Sequence, residues 1–260
     1  QTMSSVNISL LALLFASIVV FCCAQDPATG WMSYAVGTIP KGHDRITRLE
    51  MKWTVSNNAR RSFAFYSPWF GMDPADNLNL VQPVNPWGGD SWSMYTEYFQ
   101  WEPESNSNSD QYGVTAGQTL HGSIVYDESS DSYNLTQMVV ETGDISYQNV
   151  PCQDGKKFTI PYVVYEKVMR CADYPPDEIV SFYDILVECD GKDVTTDVKW
   201  AAMVKDPNCD FTAHINNSTS IDITWNTKGI SKLDHLTDAE IFDYNYHGWA
   251  TRLPIQRPAE

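Results

Sequence analysis

The sequence predicts an all-β fold, an antiparallel two-sheet jelly roll, and three observations carry the prediction. The composition is aromatic and β-branched, with 14 Tyr, 10 Phe and 9 Trp beside many Val, Ile and Thr, residue types that fit a pleated, half-buried surface. Short strand-like runs recur with turn residues between them. Where a run can be split into its two faces, neither is purely polar: in SYNLTQMVV, Tyr133, Leu135, Gln137 and Val139 share one side and Asn134, Thr136, Met138 and Val140 the other. Two mixed faces suit a curved sandwich whose concave side lines a groove.

Taken in order, the runs are WMSYAVGT (31–38), ITRLEMKWTV (46–55), SFAFYSPWF (62–70), LNLVQPV (78–84) and SWSMYTEYFQW (91–101). They continue with QTLHGSIVYD (118–127), SYNLTQMVVE (132–141), KFTIPYVVYEK (157–167), IVSFYDILVEC (179–189) and SIDITW (220–225). DESSDS (127–132) separates two runs as a hairpin loop does, and ESNSNSDQYG (104–113) reads as a polar loop. Helix is confined to TDAEIFDY (237–244), where Thr237 and Glu240 have the spacing of a capping box. There is no internal repeat.

Ahead of the first run, residues 8–21 (ISLLALLFASIVVF) form an unbroken apolar stretch that ends in Cys22, Cys23 and Ala24. This is the pattern of a secretory signal peptide cleaved after Ala24, with Met3 as the expected start. The expected organisation is a signal at 1–24, one β-sandwich domain at 25–228 and a tail with a short helix at 229–260. No later segment is long and apolar enough to span a bilayer, so the expected product is secreted and extracellular. The formal net charge of -16 argues against nucleic acid and anionic membrane surfaces as partners.

Beyond the signal, Cys152, Cys171, Cys189 and Cys209 make an even set in an oxidising compartment, which predicts two disulfides with the pairing left open. Asn134, Asn216 and Asn217 lie in glycosylation sequons, the last two adjacent. The histidines His43, His121, His214, His235 and His247 are scattered, no generic catalytic or cofactor motif is present, and neither a metal site nor a cofactor is expected.

The informative signal is a combination: FAFYSPWFGMDP (63–74), then LVQPV (80–84), then YFQWEP (98–103). An apolar strand ending in W-x-G, a glutamine on the next strand and an aromatic strand ending in W-x-P resembles the glutamic peptidases called eqolisins, over about residues 31–226. VTAGQTLHGSIVYD and IVSFYDILV are similar to two further segments of that family. The resemblance implies a concanavalin-like β-sandwich and a groove with a glutamine and a glutamate facing each other. There the carboxylate acts as general base and then acid, while the amide orients water and stabilises the oxyanion. Gln82 falls at the family's glutamine. Matching the last residue of the family's A-E-W-I-V-E pattern to Glu166 puts Tyr162 at the catalytic glutamate. A phenol with a reference pKa of about 10 is no base in acid. Gln100 stands where the family often carries a carboxylate.

Gln82 is therefore read either as a groove residue left from an incomplete dyad or as an amide satisfied within its own sheet. The groove is expected to include Gln82, Trp69, Tyr98, Gln100 and Tyr162, and Trp87, Trp92 and Trp101 are read as core or groove residues. The expected function is non-catalytic extracellular binding of a glycan or extended peptide, with oligomeric state left open. The alternatives are an acid peptidase pairing Gln82 with Glu166 or Glu97, a matrix, mucus or adhesive component, and an enzyme acting on a small molecule in the groove.

Overall fold

The computed structural model describes residues 26–241, 243 and 244; the expected signal and most of the tail beyond 244 lie outside them. Sixteen strands run along the described residues. The first sheet is built from β1 (Trp31–Thr38), β3 (Ser67–Pro74), β4 (Asn79–Val84), β5 (Trp92–Trp101), β6 (Glu104–Asn108), β7 (Tyr112–Val114), β11 (Phe158–Glu166) and β14 (Lys199–Val204). Its order is β14-β1-β11-β3-β4-β5-β6, with β7 paired to the start of β5 at Trp92, Ser93 and Met94.

The second sheet comprises β2 (Ile46–Thr54), β8 (Thr119–Asp127), β9 (Ser132–Val139), β10 (Ile145–Pro151), β12 (Ile179–Cys189), β13 (Lys192–Asp193), β15 (Thr212–Asn217) and β16 (Ser220–Thr224). Its order is β10-β9-β8-β2-β12-β16-β15, with β13 against β12. The pairings are antiparallel throughout, as the all-β reading requires.

Side-chain alternation decides what lies between the sheets. Leu49, Met51, Trp53, Leu120, Ile124, Leu135 and Phe182 from the second sheet meet Met32, Ala35, Phe70, Met72, Val81, Val163 and Tyr165 from the first. Gly122 belongs to this contact: a Cβ there would lie 2.5 Å from the Phe70 ring, so the glycine makes room for the phenylalanine. Trp87 and Trp92 pack edge-on in the same core, and Gln137 is buried there with both amide atoms unpartnered among the described residues.

Three expectations are corrected. The segment read as a polar loop, ESNSNSDQYG, carries β6 and β7; every β6 residue is exposed, and the strand exists because β5 supplies its backbone partners. The run 62–70 is extended only from Tyr66 onward, and Phe63 projects into solvent. Of two expected disulfides one forms, Cys171–Cys209. It closes a loop of 38 residues, worth about 3–4 kcal/mol as a constraint on the unfolded chain.

Cys152 and Cys189 are unpaired because they follow from strand ends that β9, β8 and β2 separate within the second sheet. Burial pushes the Cys152 thiol up to about 11 and the Cys189 thiol up to about 12, which leaves both protonated and unreactive at neutral pH. The capping geometry read from TDAE is present: Glu240 N–H donates to Thr237 Oγ1 at 3.3 Å and Thr237 N–H to Glu240 Oε2 at 2.8 Å.

Candidate functional site on the outer face of the first sheet

The first sheet has a second apolar layer on the side away from the core. Trp31, Trp69, Leu80, Val84, Phe99, Tyr162 and Val164 form it, with Tyr34, Val36, Tyr95, Trp101 and Ile160 packed at its margin. Trp31 stands edge-on to Trp69 at 5.1 Å and to Tyr162 at 5.2 Å between centroids. Aromatic rings so arranged give a rigid, shaped surface.

Gln82 lies on this face, between Leu80 and Val84 on β4, and is 4 % exposed. Strand register sets its neighbours. Glu97 on β5 is directly opposite it, with Asn108 on β6 beyond. On the other side stands Gly71, where a Cβ would be 3.0 Å from the Gln82 Cβ and 2.4 Å from the Val81 carbonyl oxygen. Tyr162 on β11 pairs with Gly71, and Val36 on β1 with Tyr162. One rung across the sheet thus reads Val36, Tyr162, Gly71, Gln82, Glu97, Asn108. The glycine lets β3 approach β4 closely at this rung.

The Gln82 amide is oriented from one side. Its Nε2 donates to Glu97 Oε2 at 2.7 Å, and Asn106 Nδ2 donates to Glu97 Oε1 at 2.7 Å. Gln82 Oε1 is buried and has no partner among the described residues. Burial raises the Glu97 carboxyl above its ordinary value and the Glu166 charge adds to this, while Asn106, Gln82 and Lys167 oppose it.

Two more polar groups on the face have no hydrogen-bond partner among the described residues: Trp69 Nε1 and both carboxyl oxygens of Asp73. Asp73, two residues beyond Gly71 on β3, is wholly buried, and burial, helped by the Asp76 charge, raises its carboxyl far above the usual range. Tyr162 is likewise held protonated, burial first and the Asp73 charge second.

Glu166 is four residues beyond Tyr162 on the same face, but pairs with Ser67, not with the Gln82 rung. Ser67 Oγ donates to its Oε1 at 3.4 Å, and Lys167 Nζ lies 3.6 Å from that oxygen. Burial lowers the Lys167 ammonium, and the charges of Glu166 and Glu97 hold it up.

The expected groove is therefore partly assembled. Gln82, Trp69 and Tyr162 share the face. Tyr98 and Gln100 do not: on β5 the residues that alternate with Glu97 and Phe99 turn toward the sheet's other side, where Tyr98 packs in the core. The Tyr98 hydroxyl donates to Gln100 Oε1, and Gln100 Nε2 to the Pro103 carbonyl. Trp101 borders the outer face. Glu97, Asn106 and Asp73 are the polar residues that complete the cluster; the two-residue period from Gly71 would have pointed to Asp73, whereas Asn106 sat in a segment without alternation.

Elsewhere, Asn134 lies on β9, its Oδ1 accepting from the Tyr147 hydroxyl and Asn149 Nδ2. Asn216 and Asn217 end β15; Asn216 Nδ2 donates to Asp222, and Asn217 Oδ1 accepts from Thr219 N and Oγ1. A cavity of about 620 Å³ opens between Arg45, Tyr126, Lys157 and Asp190, and several of its charges are paired: Asp190 with His43, Arg45 with Asp131 and Lys157 with Asp44. Among the described residues no cluster of three or more His, Cys, Asp or Glu is set to hold a metal, and no helix is long and apolar enough to cross a membrane.

Two curved antiparallel sheets with a glutamine on the outer face of one define a glutamic-peptidase-like β-sandwich. The chain has the fold of the eqolisin peptidases. It is similar to scytalido-glutamic peptidase in complex with a peptide-based transition state analogue (TM-score 0.57, 16 % identity, covering 75 % of this chain and 98 % of that one). It is similar also to SCP-B, a member of the eqolisin family in complex with the tripeptide Ala-Ile-His (TM-score 0.55, 15 % identity, 75 % and 98 % covered). No known family profile and no curated protein matches the sequence.

Proposed function

We propose that the chain is a non-catalytic extracellular binding protein that holds a glycan or an extended peptide on the outer face of its first sheet. The observation that carries this reading is the rung through Gln82: across Gly71 from it stands the buried phenol of Tyr162 in place of a carboxylate, and the Gln82 amide already donates to Glu97. A glutamic dyad needs a base facing a shared water and an amide donor free for the oxyanion. Here the base is replaced and the donor engaged. Unpartnered polar atoms on Trp69, Asp73 and Gln82 within an aromatic layer suit a ligand with both apolar surface and hydrogen-bonding groups. Secretion and glycosylation at Asn134 and at Asn216 or Asn217 belong to the same reading, supported by the one disulfide.

The test is an array of glycans and extended peptides probed with the full chain and with Gln82→Ala. Binding that weakens at least tenfold in the variant supports the reading, and an empty array removes it. The second reading, an acid peptidase, draws on the 2.7 Å contact between Gln82 and Glu97. It requires cleavage of a denatured protein at about pH 3–4, where a carboxylate base operates, and loss of that cleavage in Gln82→Ala.

A further inference from the structure

We propose that Glu97 is a positioning residue that decides which end of the Gln82 amide faces the groove, so that with Glu97 ionised the site offers a carbonyl acceptor and selects ligands bearing a hydroxyl or N–H donor. The ligand half of this proposal rests on the binding reading above; the amide half does not.

A carboxylate only accepts hydrogen bonds. The ionised Glu97 spends Oε1 on Asn106 and Oε2 on Gln82, both at 2.7 Å, and so fixes Gln82 with Nε2 toward β5. The far end of the planar amide, Oε1, is buried and unpartnered among the described residues, on the outer face of the sheet beside Gly71. A buried acceptor without a partner costs about 1–3 kcal/mol unless something donates to it. Neither Tyr162, across Gly71 on the same rung, nor Asp73 makes a hydrogen bond with it. The donor must come from water or a ligand.

Protonation reverses the arrangement without moving a heavy atom of the backbone. Glu97 Oε2–H becomes a donor, Oε1 keeps the Asn106 bond, and the Gln82 amide turns over to accept from Oε2–H. Its NH2 then faces the groove, and the site changes from acceptor to donor. The groups facing Glu97 are Gln82 from β4, Asn106 from β6, Tyr95 on its own strand, Glu166 at the end of β11 and Lys167 just beyond it. Burial and the Glu166 charge favour the protonated form; Asn106, Gln82 and Lys167 favour the ionised one. The balance places the changeover above the ordinary glutamate range.

The amide half is tested on the full, isotope-labelled chain with no ligand present, by following the Glu97 carboxyl carbon and the Gln82 side-chain amide through pH 3–8. The expected result is one shared midpoint above the ordinary glutamate value. Asn106→Ala, at an exposed edge strand, raises that midpoint, and Glu97→Gln abolishes the Gln82 titration. A Gln82 signal that stays flat while Glu97 titrates overturns the proposal, as does a Gln82 titration that persists in Glu97→Gln. If Glu97→Gln does not fold, the wild-type coincidence and Asn106→Ala decide. The ligand half is tested at pH 7 with free and O-methylated oligosaccharides and with plain and N-methylated extended peptides. At least tenfold weaker binding of the methylated probes supports it. Equal binding overturns it, and no binding of either kind overturns it together with the binding reading while leaving the amide result intact.

Discussion

The two sheets present outer faces of opposite character. On the second sheet the residues that alternate out of the core are charged and pair in water: Arg48 with Glu50 and Glu188, Lys52 with Asp184, His121 with Glu50, and Ser123 donating to Glu50. On the first sheet the same alternation leads to Trp31, Trp69, Phe99 and Tyr162, with Gln82, Glu97 and Asp73 buried among them. A sandwich needs only one buried face per sheet. The aromatic layer on the first sheet is beyond what the fold requires, and among the described residues Trp69 Nε1, Gln82 Oε1 and the Asp73 carboxyl within it have no hydrogen-bond partner, whereas the charges on the outer face of the second sheet pair with one another. That contrast supports the outer face of the first sheet as the candidate site.

The largest expected effect that sharpens the contrast is Trp69→Ala. Trp69 is fully buried against Trp31, and its loss should cost about 3–5 kcal/mol in chemical denaturation. If Trp69 behaves as a surface residue, the outer layer is not a packed element. Gly71→Ala comes next, because its Cβ would meet the Val81 carbonyl at 2.4 Å. It should cost about 1–3 kcal/mol and displace Gln82, whose Cβ would lie 3.0 Å from the added methyl, so ligand binding should fall with it. Lys52→Ala, which removes an exposed ion pair with Asp184, should cost about 0–1 kcal/mol.

Acid separates the two faces in sign. The Glu50 carboxyl is held down to about 2, first by the His121 hydrogen bond and then by Ser123 and Arg48, against the cost of burial. Its stabilisation is present above the ordinary value of 4.5 and is lost as pH falls toward about 2. Glu97 and Asp73 are raised by burial, so their contributions are present in acid and lost as pH rises through their folded values. Stability measured against pH should therefore lose its acid decline in Glu50→Gln, and its decline at higher pH should flatten in Glu97→Gln. Both variants changing the same limb would break the contrast.

The fold was legible where alternation was strong. ITRLEMKWT lies on β2, where Leu49, Met51 and Trp53 recur at every second position, and the aromatic and β-branched runs at 31–38 and 119–127 lie on β1 and β8. β6 was hidden because ESNSN is polar on both faces and is a strand only by courtesy of β5. β14, KWAAMV, is an edge strand lying mostly open to solvent, and its short run of small residues carries no alternation. At the site, LVQPV drew attention to Gln82, and the register puts Tyr162 across Gly71 from it. Tyr98 and Gln100 were misplaced by one residue of phase, which in a strand exchanges the two faces. The pairing of Cys171 with Cys209 needed three dimensions, since four cysteines allow three connectivities.

The account depends most on Gln82 lacking a catalytic partner. The measurement that bears on it most directly is incubation of the full chain with a denatured protein from pH 2 to 7, with products read by mass spectrometry. The expected result is no cleavage at any pH, for the wild type and for Gln82→Ala alike. Cleavage in acid that disappears in Gln82→Ala would contradict it and assign Glu97 or Glu166 the role of general base.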